Sequence, residues 1–446
     1  MDFLDKFVIP QSLVHIELLH YLATLVLLIF IPFISIIFGT TLFSLYFRKK
    51  GNTESNKHLL YFAKDLISMS TVNKYVGIIL GIVPLLTLMI IYVQLLSSTP
   101  SLAVTYLFIA FLLVIVALIF IYTYRYSISF NLIFNSLDNF KPSDEIISDD
   151  INKFSKATKR LSVSAGYYGV IILVFAIWFY LGGLNLALYP EQTGSQNVFA
   201  VLLSFDVISR LLFFFSFAMA ITGGAILFRF LFWEGGLKGI DEEYKKLAKN
   251  VGVKTAFYFS ALIPLFLTSD LLALPKSALS SSIFIYSGLV LLVLFICYNL
   301  LYAMTKDEKS NYSGILFGLL IISLGFSLVI DQVSMDNATK LQTLKLNKKY
   351  DVLFASLKGE TNKLPVINGK DVFQTRCSAC HSFDRKIVGP PYNEVLKKYE
   401  GNTNKLVGFI MNPKKIEPNY PPMPNPGLKP NEAKAVAKYI LETYKK

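Results

Sequence analysis

Eight predominantly apolar stretches occupy the first three quarters of the chain, and each is long enough to cross the hydrocarbon core of a bilayer as a helix. They fall at 18–47, 75–96, 102–124, 161–188, 198–232, 255–274, 283–304 and 312–330. No water is present in lipid to satisfy backbone groups, so segments of this kind fold as helices. Composition agrees, because the 446 residues are 54% hydrophobic and only 16% charged, the balance of a polytopic membrane protein. The first, fourth and fifth stretches exceed what a bilayer needs and are expected to tilt or to project beyond it. Pro84 and Pro264 fall inside spans and are expected to kink them. The expected class is all-α: a transmembrane bundle of about eight spans over 1–331, a polar tether over 332–365 and a small helical domain over 366–446.

The last domain carries the most specific motif, Cys377-Ser-Ala-Cys380-His381. Cys-x-x-Cys-His is the attachment signal of a c-type haem. Two thiols three positions apart can each add across one haem vinyl group, and the adjacent His381 is then held as an axial iron ligand. A redox dithiol or half of a zinc site would use the same residues. Zinc needs two more ligands nearby, however, and the remaining cysteine, Cys297, lies in a remote apolar run. Downstream, Tyr420-Pro-Pro-Met423-Pro-Asn-Pro-Gly427 presents a thioether on a proline-stiffened loop, making Met423 the candidate second ligand. Met411 is the alternative, at the end of an expected helix where core packing is the simpler role. Val388-Gly-Pro-Pro391 would suit a loop passing over the haem.

About the last 80 residues resemble the class I c-type cytochromes in five features. These are the haem motif near an N-terminal helix, the Gly-Pro-Pro, the Asn-Pro closing a helix, the Pro-Met-Pro loop and a final helix over 431–440. The resemblance implies a helical domain with one covalent haem c that carries one electron, and Met ligation that raises the potential relative to bis-His ligation. A second likeness involves the first two spans, through His20-Tyr-Leu, Ile31-Pro32-Phe33, Gly39 and Lys74-Tyr-Val-Gly77-Ile-Ile-Leu-Gly81. They are similar to the opening of the large subunit of cytochrome bd quinol oxidases, in which an outer-end histidine of the first helix ligates a haem. That likeness makes His20 a candidate ligand for a haem b. The chain departs from the family in having no histidine in a later span and no long outer quinol loop. His15 and His20 lie roughly 140° apart around a helix and cannot both face one iron.

Haem attachment to Cys-x-x-Cys-His takes place on the outer face of an energy-transducing membrane, which puts the C-terminal domain outside. Eight spans then put the N-terminus there too. Loop charges agree: the inner loops carry basic clusters over 48–74, 125–160 and 238–254, whereas the short outer loops 97–101, 189–197 and 275–282 carry Lys276 alone. The expected location is a bacterial cytoplasmic membrane, with both termini on the periplasmic side. Residues 1–11 show no basic region followed by a small-residue cleavage site, so the first span is expected to be retained. Lys340, Lys345, Lys348, Lys349, Lys358 and Lys363 make the tether polar, and an uneven apolar spacing allows part of it to be helical. Residues 366–446 hold 14 Lys/Arg against 7 Asp/Glu, a net of +7 before any haem. A basic face on an electron carrier steers an acidic redox partner or favours anionic lipid headgroups. Nucleic acid is not expected as a partner of an exported domain.

Intramembrane polar groups are costly and point to function. Four of them collect toward the expected outer side: His20 in the first span, Asp206 and Arg210 in the fifth, and Asp270 in the sixth. Asp206 and Arg210, four apart, share a helix face and are expected to neutralise each other. Together the four form a candidate membrane site for a quinone. The resulting expectation is a membrane-bound monohaem cytochrome c serving as an electron-transfer subunit of a respiratory oxidoreductase, between quinol or a partner's haem and an exported acceptor. The alternative makes the body an anchor and assembly scaffold for a tethered electron shuttle.

Overall fold

A computed structural model describes residues 10–96, 102–137, 145–189, 197–233, 241–306, 312–358, 368–415 and 420–444. Outer loop 97–101, most of loop 189–197, the tether segment 359–365, Lys141, Lys238 and residues 1–9 lie outside the described residues. The chain divides into two compact units, Met1–Asp351 and Val352–Lys446.

The first unit is a helical bundle. Its elements are α1 (Leu13–Thr53), α2 (Lys57–Ser70), α3 (Lys74–Leu96), α4 (Ala103–Leu137), α5 (Glu145–Leu188), α6 (Val198–Leu202), α7 (Phe205–Leu227), α8 (Glu242–Ala273), α9 (Ser281–Lys306), α10 (Ser313–Ala338) and the part of α11 (Lys340–Leu357) up to Asp351. Eight helices among the described residues are long and apolar enough to cross a membrane, the number expected. The fifth stretch differs from expectation, because it breaks at Leu203–Ser204 into the short α6 and the spanning α7. The Ser204 hydroxyl accepts from the Val207 N–H and so caps α7, satisfying a backbone donor that continuing the helix would otherwise satisfy. Around Pro84 the backbone widens into a π turn over Ile78–Ile82. Proline has no N–H to give the Leu80 carbonyl, and its ring crowds that carbonyl, so the preceding turn opens.

α7 is the central helix, packing against α1, α5, α8 and α10. Its approach to α8 depends on Gly223, where an added Cβ would lie 2.5 Å from the Ala256 N and 2.8 Å from the Gly252 carbonyl oxygen. Small residues at such crossings let the backbones meet, which drives association where lipid is as apolar as the side chains.

The start of the expected tether is helical. α10 runs past residue 331 to Ala338, and α11 continues the helical path. Within the first unit, Leu346 of α11 is buried in the bundle core, and the Asn347 side chain accepts from the Leu13 N–H at 3.1 Å. The start of the tether is therefore part of the body.

The second unit carries α12 (Gly369–Arg376), α13 (Tyr392–Val395) with a 3-10 turn over Leu396–Tyr399, α14 (Thr403–Met411) and α15 (Pro430–Tyr444). Asn368 and Asn402 cap α12 and α14 by accepting from the N–H groups of Lys370 and Lys405. Phe373, Leu396, Leu406, Ile410, Val436 and Ile440 form its core.

The α7–α8 crossing gives a direct test. Gly223→Ala places a methyl group against backbone atoms and should lower the thermal midpoint of the protein in nanodiscs, at a cost of about 1–3 kcal/mol. Gly288→Ala, where nothing lies within 4 Å, should leave the midpoint unchanged or slightly raised.

Candidate functional site

In the second unit the backbone between Cys377 and His381 closes a tight turn. The Cys380 and His381 N–H groups both donate to the Cys377 carbonyl, at 3.1 and 2.9 Å. The Cys380 carbonyl in turn accepts from Val388 and Gly389, at 3.3 and 2.9 Å, and the Ser382 carbonyl accepts from Tyr392 at 3.0 Å. These bonds fold the 388–391 segment back over the motif. Cys377 is buried in the domain core and Cys380 is half-buried. Burial, with a smaller contribution from the neighbouring Cys380, pushes the Cys377 thiol up to about 11, so it stays protonated at neutral pH.

His381 is held in one orientation and one tautomer. Its ring stacks on Tyr392, with centroids 5.1 Å apart and planes 9° apart. Nδ1 lies 3.1 Å from the Pro390 carbonyl oxygen, which can only accept, so the ring proton sits on Nδ1 and Nε2 keeps its lone pair. A metal-ligating histidine needs this arrangement. Gly389 makes it geometrically possible, because a Cβ there would lie 2.3 Å from His381 Cε1.

His381 lines a cleft of about 720 Å³ whose walls include Leu396, Leu406, Phe409 and Ile410. Met423 lines the same cleft, and Met411 does not. The Met411 backbone instead helps shape the loop that presents Met423: its carbonyl accepts from the Asn425 side-chain amide at 3.1 Å. The Asn425 side-chain oxygen accepts from the Gly427 N–H at 2.9 Å, and Gly427 takes the positive φ of 65° that the turn requires. An apolar cleft, a histidine with a free Nε2, a nearby thioether and two adjacent thiols fit a covalently bound haem.

The cytochrome c family matches residues 366–443. Cytochrome c-551 of Pseudomonas denitrificans is 38% identical over 78 residues, covering 16% of this chain and 94% of that protein. Cytochrome c-551 of Ectopseudomonas mendocina is 33% identical over 78 residues, 17% of this chain and 95% of that protein. Through this domain the chain belongs to the cytochrome c family. It is a class I cytochrome c domain, and its function is electron transfer through covalent haem c. The family match begins at residue 366, outside the membrane body, so the likeness of the first two spans to the cytochrome bd large subunit is left without support.

The structure brings together two of the four polar residues expected to share one membrane site: Arg210 and Asp270 pair and line one cavity, which Asp206 and His20 do not line. Arg210 does not pair with Asp206: its Nε donates to Asp270 Oδ1 at 2.8 Å, and both partners are buried. Asp206 stays half-buried in the first turn of α7, where a carboxylate favours the helix N-terminus. His20 Nε2 lies 3.6 Å from Asp336 Oδ1 and does not line the cavity that holds Arg210 and Asp270. That cavity brings in Asp331 and Gln332, which lie beyond the expected end of the last span. The extension of α10 past residue 331 is what turns them inward. Elsewhere, His58, Asp241 and Glu243 bring ligand atoms within 4.8 Å of one another, but Asp241 and Glu243 are exposed and Asp241 already caps α8.

Gly389→Ala forces the His381 ring to move. The variant should keep covalent haem while losing much of the low-spin spectrum of a six-coordinate iron, as read by optical absorption.

Proposed function

We propose that the chain is a membrane-bound monohaem cytochrome c, an electron-transfer subunit of a respiratory complex in a bacterial cytoplasmic membrane. The observation that carries this reading is one cleft lined by both His381, with Nε2 free, and Met423, in a domain continuous in sequence with eight membrane-length helices. Cys377 and Cys380 would hold the haem covalently, with His381 and Met423 as the axial ligands. When bound, the haem supplies a one-electron Fe(III)/Fe(II) couple whose potential the methionine raises. The protein's own part is to hold that pair of ligands, keep water from the apolar cleft and present an edge to a partner. One haem per chain is the proposed content: among the described residues, no histidine lines the body's polar cavity.

The orientation follows from the motif and the loop charges. The cytochrome domain and the N-terminus lie on the periplasmic side, and the basic loops on the inner side. Lys398, Lys414 and Lys415 line the cleft on a domain of net charge +7, counted as 14 Lys/Arg less 7 Asp/Glu over 366–446. This basic rim favours an acidic redox partner, whose approach it would accelerate.

Two measurements test the proposal. Met423→Ala should abolish the weak red band of a Met–iron bond in the oxidised protein while Met411→Ala retains it; the opposite pattern reassigns the ligand. Replacing Lys414 and Lys415 with Glu should slow electron exchange with an acidic acceptor by about tenfold at low ionic strength. In stopped-flow traces near 1 M salt, where the Debye length is about 3 Å, the two proteins should become nearly equal.

A further inference from the structure

We propose that the cavity in the membrane body is a binding site for a prenylated hydroquinone, with its ring hydroxyls on Asp331 and Gln332. The cavity, with the open space at its mouth, spans about 900 Å³. Its walls are mostly apolar and include the rings of Phe30, Phe213, Phe214, Phe217 and Tyr180. Such walls suit a flat ring and a branched hydrocarbon tail.

The polar side is incompletely satisfied within the protein. Arg210 is committed through Nε to Asp270. Gln332 is only 6% exposed; its Nε2 donates to the Tyr92 hydroxyl at 3.2 Å, and its Oε1 is a buried acceptor with no hydrogen-bond partner. Asp331, half-buried, lines the same cavity within the field of the Arg210 guanidinium, with no hydrogen bond or ion pair within 4 Å among the described residues. A buried acceptor without a donor carries its full desolvation cost, and more if it is charged. The Gln332 side-chain oxygen therefore lacks a donor, which a ligand's O–H group would supply.

Charge narrows the ligand class. The charged groups lining the cavity, among the described residues, are Arg210, Asp270 and Asp331, one cation against two carboxylates. That balance disfavours a fatty acid or a phospholipid phosphate and favours a neutral molecule that donates hydrogen bonds. A hydroquinone fits better than its oxidised quinone, whose two carbonyls only accept. The polar groups sit toward the end of the bundle at which α10 and α8 finish and α7 begins. This inference rests on the membrane reading of the body and deepens the electron-transfer proposal by naming a donor class. Binding is measured separately from haem reduction, so the two can fail separately.

The test is equilibrium binding of tritiated decylubiquinol to the full-length protein in phosphatidylcholine nanodiscs, corrected for empty discs, beside the dimethyl ether of the same quinol. Saturable binding of the quinol is expected, with the ether weaker by about tenfold or more, and Asp331→Asn and Gln332→Leu each weakening the quinol by about tenfold. Unchanged haem content and thermal midpoint show that a variant is folded; if Asp331→Asn misfolds, Gln332→Leu and the ether still decide. The proposal is overturned if wild type shows no saturable binding, if the ether binds as tightly as the quinol, or if both folded variants bind normally. Quinol that binds as expected but fails to reduce the haem supports the site and counts only against the electron-transfer reading.

Discussion

The absence of water from the bilayer core is the constraint on which the membrane body depends. Every backbone N–H and C=O there must find a partner inside the protein, so the chain crosses as helices and departs from them only where another group takes over. Ser204 takes over at the start of α7, and the π turn before Pro84 absorbs the bond that proline cannot make. The same constraint governs side chains. Arg210 is tolerable because Asp270 on the adjacent helix meets it at 2.8 Å, whereas the Gln332 side-chain oxygen is buried in the same cavity without a hydrogen-bond partner among the described residues.

The second unit answers a different problem. It is small, and core residues such as Leu396, Leu406, Ile410 and Ile440 also line the cleft, so its few helices are organised to hold ligands. Three backbone carbonyls do much of this work: Cys380 ties down the 388–389 segment, Pro390 sets the His381 tautomer, and Met411 anchors the loop bearing Met423. Backbone groups suit this role because substitution leaves them in place. The side-chain requirement falls on Gly389, where the loop passes too close to the imidazole for any Cβ.

Much of this was legible in the sequence, for physical reasons that differ by region. Spans could be read because burial in lipid needs a sustained apolar run, and the haem motif because covalent attachment demands contiguous residues. The break at Leu203–Ser204 was not legible, since a capping serine inside an apolar run carries no glycine or proline signal. Pairing Asp206 with Arg210 followed the four-residue helical rule, but the rule cannot see Asp270, sixty residues away on α8, which offers a buried partner. Asp331 was missed because polarity rises from that point, and composition alone does not reveal that α10 continues to Ala338 with these side chains turned inward. The Pro390 carbonyl has no sequence signature at all.

The account's central claim is a single covalent haem c carried by a chain with an eight-span body. It is tested most directly by quantifying haem per purified chain with pyridine haemochrome spectra before and after acid-acetone extraction. The account predicts one haem c per chain that stays with the protein and no haem in the extract. Haem that leaves with the solvent, or a b-type spectrum in stoichiometric amount, would contradict it.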